Sequence, residues 1–372
     1  MKTKIFSDRS YLPEGMVHVA MLCPFWGKNP EDPRAPESGR FDRYEEMGRS
    51  FFEMTSLEEA DLAVMPAWWG LVVHNETARD LSIQFAEKAE EAGKDVVVFY
   101  WSDSDEQVPI KNAMVFRTSL YRSRRRPNEF AMPAWSEDYV EKYLHGKLPV
   151  RSKRMKPVVG FCGYAPPLKL PLGRRLRNTL RWGVGVLGLR EPVRTPFRRE
   201  KPPNLVRTQA LRALLASPRV ETNLVVRDRF LGGAWLRDGR TDLALMQKVR
   251  LEFLQNMLES DYVLCARGGG NFSYRLYETL SCGRIPVFID TDCVLPYDFE
   301  IDWKKYCVWM DEKEIDSIGD RVAEFHASLT PQDFLTLQGE CRRLWNDWLS
   351  PVGFFRNFHR HFVRTIDMYK KA

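Results

Sequence analysis

DYVLCARGGGNFSYRLYETLSCGRIPVFI, from Asp261 to Ile289, reads as strand, glycine loop, helix, glycine stop and strand. Gly268, Gly269 and Gly270 carry no side chains, so their backbone N–H groups are able to approach a bound anion closely. Asn271 or Ser273 is placed to cap the following helix, whose N-terminus favours negative charge. Gly283 ends that helix, and Pro286 opens the next strand. In an open α/β sheet, ligands bind beyond the carboxyl ends of the strands, where this loop falls. Arg275 and Glu278 share a helix face. A guanidinium there suits a diphosphate, and a carboxylate one turn further on suits ribose hydroxyls. Arg267 adds a cation at the strand end. The plainer alternative is a surface Arg–Glu pair worth about 0.3–0.5 kcal/mol; the adjacent glycine loop favours the ligand site. No Lys-Ser or Lys-Thr follows the glycines, so this is not a Walker loop. No strand-end acid about 20 residues on supports a dinucleotide.

Working outward, the first half alternates strands and helices. Val17 to Cys23, Leu62 to Met65, Val96 to Trp101 and Met114 to Phe116 are predicted strands, and Leu81 to Ala92 is a helix stopped by Gly93. The run VVVFYW is apolar throughout, as a strand inside a parallel sheet must be. Leu148 to Pro157 is polar and proline-bounded and reads as a linker. The pattern restarts with strands at Val158 to Gly163, Thr222 to Val226, Tyr262 to Ala266 and Ile285 to Ile289. Helices are expected at Arg207 to Leu215, Leu251 to Leu258 and Tyr274 to Ser281. This predicts an α/β protein with two Rossmann-like domains facing a cleft, residues 1–150 and 151–350. Residues 351–372 form a last helical stretch able to cross back to the first.

Composition sets wider bounds. The chain has 372 residues, 44% hydrophobic and 12% aromatic, enough for two cores and too much for a disordered chain. The start, MKTKIFSDRSYLPEG, lacks the apolar stretch of a signal peptide, and no run of about 18 apolar residues occurs. The seven cysteines are scattered without a C-x-x-C pair, which favours reduced core residues over a disulfide framework or zinc site. A cytoplasmic location is the expectation. Of the net charge of +6, a surplus of eight falls between Lys169 and Lys201, where ten basic residues face two acidic ones. Arg174, Arg175, Arg177 and Arg181 interleave there with Leu176, Leu180 and Trp182. That pattern suits anionic lipid headgroups at the inner membrane face, another polyanion, or a solvated loop.

The run from Tyr262 to Trp303 resembles the exostosin family, the family 47 glycosyltransferases. That family's Ser-x-Arg-x-x-Glu is matched by Ser273, Arg275 and Glu278. Gly283-Arg284-Ile285-Pro286-Val287, Leu295-Pro296-Tyr297 and Asp302-Trp303 follow in the family's order. Weaker echoes occur at Ala60-Asp61-Leu62 to Pro66 and at Val158 to Gly163. The resemblance implies a GT-B fold and an inverting transfer from a nucleotide sugar, usually UDP-linked, onto a glycan or lipid-linked glycan, with no essential metal and no cofactor. It places Arg267, Ser273, Arg275 and Glu278 at the nucleotide, beside Gly268, Gly269 and Gly270. Surface-polysaccharide assembly is the setting this suggests, and no nucleic-acid partner is expected. A GDP-sugar enzyme, a non-catalytic glycan-binding protein and a membrane-surface adaptor are the alternatives.

Inversion needs a general base, which a GT-B enzyme supplies across the cleft. Asp103, at the end of the VVVFYW strand, is the first choice; Asp105, His74 and Glu129 are the others. Asp103-Ser104-Asp105 also spells a D-x-D metal site, the reading a GT-A enzyme would demand. Each of these residues has a plainer reading as a loop cap or solvated group. Trp68 and Trp69 are either a sugar platform or core, and Arg117 to Arg126 either line the cleft or form a solvated loop.

Overall fold

A computed structural model describes residues 2–166, 205–235 and 241–369, so the basic segment 169–201 lies outside the described residues. The first sheet holds β1 (Thr3–Phe6), β2 (Phe52–Met54), β3 (Leu62–Val64), β4 (Val96–Tyr100), β5 (Ala113–Arg117) and β6 (Glu129–Ala131), in the order β2-β1-β3-β4-β5-β6. The second holds β7 (Val158–Tyr164), β8 (Glu221–Arg227), β9 (Tyr262–Cys265), β10 (Ile285–Asp290) and β11 (Val308–Asp311), in the order β11-β10-β9-β7-β8. Every strand pair is parallel. Two parallel sheets with helical crossovers make this an α/β protein with two Rossmann-like units. In the second sheet the chain leaves β7 to one side for β8 and returns on the other for β9. The β7/β9 crevice is therefore a topological switch point, where such sheets bind ligands.

The principal helices are α1 (Glu76–Glu91), α2 (Tyr139–Leu144), α3 (Leu205–Ala216), α4 (Leu243–Leu258), α5 (Tyr274–Ser281), α6 (Ile318–Ser328), α7 (Pro331–Leu344), α8 (Pro351–Arg356) and α9 (Phe358–Tyr369). Asn75 caps α1 by accepting from the Ala78 N–H, and Gly93 follows its end at φ +67°, a conformation that costs glycine nothing. Gly283 does the same after α5 at φ +57°. The expected strand at Val17 to Cys23 is not one. His18 makes a single bridge to Ala67, Ala20–Leu22 is a tight 3-10 turn and Cys23–Trp26 a short helix. Pro24 has no N–H for a ladder and suits a helix's first turn, so His18 to Cys23 is buried as core without joining the sheet, while Val17 stays exposed. Sequence reading passes over β1, β2, β6 and β11, which are only three or four residues long.

The lobes are clamped together. Arg342 forks onto both carboxylate oxygens of Asp138 at 2.8 Å, and Arg125 reaches Asp298 at 2.6 Å. Arg122 meets Asp290 at 3.0 Å, while Tyr121 bridges Cys293. Helices α8 and α9 add an aromatic seam: Phe355 stacks on Tyr44 at 4.3 Å, and Phe358 approaches Phe116 at 5.0 Å.

His361 sits inside that seam, fully buried, 4.0 Å from the Tyr297 ring, with neither ring nitrogen hydrogen-bonded. Burial, aided by Arg125 and Arg364, holds its pKa well below the usual value. The unfolded chain takes up a proton near pH 6.5 that the folded chain refuses. Stability is therefore fully present above that pH and falls as the solution is acidified. His18 and His326 are also shifted down by burial and act with the same sign. Urea unfolding at pH 7.5 and 5.5 is expected to differ by about 1.4 kcal/mol in total from His361 alone. His361→Leu should remove that share, and an unchanged pH slope in the variant would refute the assignment.

Candidate active site

At the C-terminal ends of β7 and β9, two arginines converge without a carboxylate partner. Arg275, on α5, donates Nη2 to Cys162 O at 2.8 Å and lies 4.4 Å over the Phe161 ring. Arg207, on α3, donates to Tyr164 O at 2.7 Å and to Arg267 O at 3.2 Å, and lies 5.7 Å from the same ring. The Nε of each is buried without an acceptor. Among the described residues no acid comes within ion-pair distance of either. Burial pulls the Arg207 guanidinium down to about 9, with Arg275 adding to the effect, and burial lowers Arg275 as well. Two neighbouring half-buried cations without a carboxylate partner are costly to fold, and an arriving anion removes that cost. Sequence reading missed Arg207 as a site residue and took it only as the start of a helix.

Arg267 is buried at the end of β9, donating to Gly269 O at 3.2 Å with its guanidinium 5.5 Å over Tyr121. Ser273 flanks the start of α5 in an extended conformation and makes no capping bond through its side chain. Asn271 is not the cap either. It is tied to Leu120 O and Asp292 O at 3.2 Å, while its backbone N–H bonds Ser119 Oγ at 3.0 Å. Gly268 has open space, with Arg207 Nη2 the nearest atom to a Cβ built there, at 3.9 Å. At Gly269 a Cβ would fall 2.3 Å from Asp103 Oδ2, and at Gly270 it would fall 2.8 Å from Asp103 Cα. These two glycines thus let Asp103 of the opposite lobe close against the loop.

Glu278 is buried on α5, and its Oε1 accepts from Tyr139 Oη at 2.8 Å and from Arg250 Nη1 at 3.0 Å. Arg250 also approaches the buried Glu137 through Nε at 3.3 Å. Burial raises the Glu137 pKa, opposed by Arg250. Among the described residues no side chain bonds Glu278 Oε2. Arg250, Tyr139 and Glu137 were not legible as site residues; the helix carrying Arg250 was read as starting at Leu251.

The remaining acids named from sequence are occupied elsewhere. Asp105 pairs with Arg124, and Glu129 is buried against Arg117 at 2.7 Å. His74 is exposed on the turn after Trp69–Val72. Asp103 is exposed at the end of β4, with no ion pair or hydrogen bond to its carboxylate among the described residues. Trp69 is buried as core; Trp68 is half-buried, donating to His18 O at 3.0 Å. The Arg117 to Arg126 run faces the other lobe across the cleft: Ser119 Oγ takes the Asn271 N–H, Arg122 and Arg125 reach across, and Arg117, Arg122, Arg124, Arg125 and Arg126 each hold an acid. All seven cysteines are buried and unpaired.

The Exostosin GT47 domain matches residues 220–325, which hold the glycine loop and α5. The chain is 28% identical to Exostosin-1 of Drosophila melanogaster over 123 residues, 32% of this chain and 16% of that protein. It is 36% identical over 63 residues to the protein named Probable beta-1,4-xylosyltransferase IRX10L of Arabidopsis thaliana, 17% of this chain and 15% of that one. The chain thus spans under a fifth of these relatives' own length. Against solved structures, a crystal structure of TarM aligns with 72% of this chain and 54% of its own at 10% identity, with a TM-score of 0.30. Over residues 220–325, in its second lobe, the chain is therefore similar to the exostosin GT47 glycosyltransferases, and the matched stretch contains Arg275 and Glu278.

Proposed function

We propose that this protein transfers a sugar from a nucleotide-diphosphate sugar of the UDP class to a hydroxyl of a glycan or lipid-linked glycan, with inversion and without an essential metal. The observation that carries the proposal is the half-buried Arg207–Arg275 pair at the start of α5, which has no acid within ion-pair distance among the described residues. A leaving diphosphate develops charge as the anomeric C–O bond breaks. Preorganised cations in a dry site are worth most at that moment. Arg207, Arg275 and Arg267 take the phosphates in this reading, Ser273 and Gly268 donate to them, and Glu278 Oε2 accepts the ribose hydroxyls. Tyr139 and Arg250 fix the carboxylate by holding Oε1. On the other side the acceptor oxygen attacks the anomeric carbon, its proton passes to Asp103, and the diphosphate departs with the electron pair.

Thermal stability against UDP, GDP, CDP and dTDP tests this. UDP at about 100 times its dissociation constant should stabilise the fold by ~2.7 kcal/mol, and Glu278→Ala should lose most of that. Stabilisation by GDP alone would replace the donor. No response to any of the four would overturn the reading.

A further inference from the structure

One cation at the cleft is left unused by that scheme. Arg40 is half-buried and lies 5.4 Å over the Trp101 ring and 5.5 Å over Phe41. Its single hydrogen bond among the described residues is to Trp135 O at 3.3 Å. No acid of the described residues pairs with it, so most of its five donors remain available. Trp101 follows β4 and serves as a hub: its face carries Arg40, and its indole N–H donates to Tyr274 Oη. Because that oxygen already accepts, the Tyr274 proton is free to donate outward. Tyr274 opens α5, is 41% exposed, and has Arg40, Asp103 and Glu278 within electrostatic reach.

We infer that Arg40 and Tyr274 form a subsite for a sugar carrying an anionic group, with the Arg40 guanidinium on the anion, the Tyr274 hydroxyl on a ring oxygen and the exposed Tyr274 ring beneath the sugar. Its place beside Asp103 makes it an acceptor subsite, an assignment that rests on the transfer reading proposed above. A planar guanidinium matches a carboxylate or phosphate fork, which a neutral sugar does not provide. Trp101 holds both side chains in register, so the subsite is assembled from both lobes.

The test is binding of methyl β-D-glucoside, methyl β-D-glucuronide and glucose 6-phosphate to the full chain with UDP present, followed by ligand-observed NMR at low and high salt. The expected result is about tenfold tighter binding of one or both charged sugars than of the glucoside, shrinking with salt. Arg40→Gln should abolish the preference, and Arg40→Lys should keep part of it. Whichever charged sugar binds tighter identifies the group as carboxylate or phosphate. Equal binding of all three, or a preference that survives in Arg40→Gln, would overturn the inference. The UDP-induced stabilisation is read in the same samples: if it stays in Arg40→Gln while the preference goes, both ideas stand. A wild type that ignores UDP yet prefers the charged sugar would remove the donor reading alone.

Discussion

Replacing Asp103 by Asn is expected to lower the transfer rate by about 10²- to 10⁴-fold, the usual range for losing a general base, while leaving UDP-induced stabilisation intact. The expectation comes from elimination within the cleft. Asp105 is held by Arg124, Glu129 by Arg117, Asp138 by Arg342 and Asp290 by Arg122. Glu278 faces Tyr139 and Arg250. Asp103 alone among these has no such partner in the described residues, and it presses on Gly269 and Gly270 from the opposite lobe. Asparagine keeps the shape and removes only the ability to take a proton. Initial rates and the nucleotide thermal shift, measured on one preparation, separate the two roles. A near-normal rate in the variant would remove Asp103 from the mechanism; loss of both rate and UDP response would make it a positioning residue.

Arg275→Met is expected to reduce kcat/KM by about 10²- to 10³-fold, the scale of losing one preorganised donor to a developing anion, and to erase most of the UDP response. Methionine keeps an apolar stem over Phe161, from which the guanidinium stands 4.4 Å. The stability of the unliganded protein separates the two kinds of arginine. Breaking a buried ion pair destabilises by about 3–5 kcal/mol because a charge is stranded. Arg275 has no acid to strand, and its removal relieves repulsion with Arg207. The unliganded variant should therefore stay within about 1 kcal/mol of the wild type, offset by the lost bond to Cys162 O. A fall of several kcal/mol in urea unfolding would mark Arg275 as structural.

The parallel strands β4, β7, β9 and β10 were legible because a strand buried on both faces must be apolar along its length. The loop and helix from Arg267 to Ser281 were legible because glycine, proline and helical spacing act locally. Arg275 and Glu278 followed, since three residues on a helix fix a shared face whatever surrounds it. The run at Val17 to Cys23 misled because burial and strand pairing have the same composition, and only the chain's path separates them. Arg207, Arg250, Tyr139 and Arg40 could not be read, because each acquires its meaning from a partner distant in sequence. Arg207 meets the ends of β7 and β9, and Tyr139 reaches Glu278 from the other lobe. The same holds for the two glycines facing Asp103. Sequence by itself determined the two α/β units and the glycine loop and helix that present Arg275 and Glu278, since both follow from short-range sterics and periodicity. Which charges stand without partners, and which acid faces the glycine loop, was decided by tertiary structure alone, because counter-charge depends on distances that only the packed lobes set.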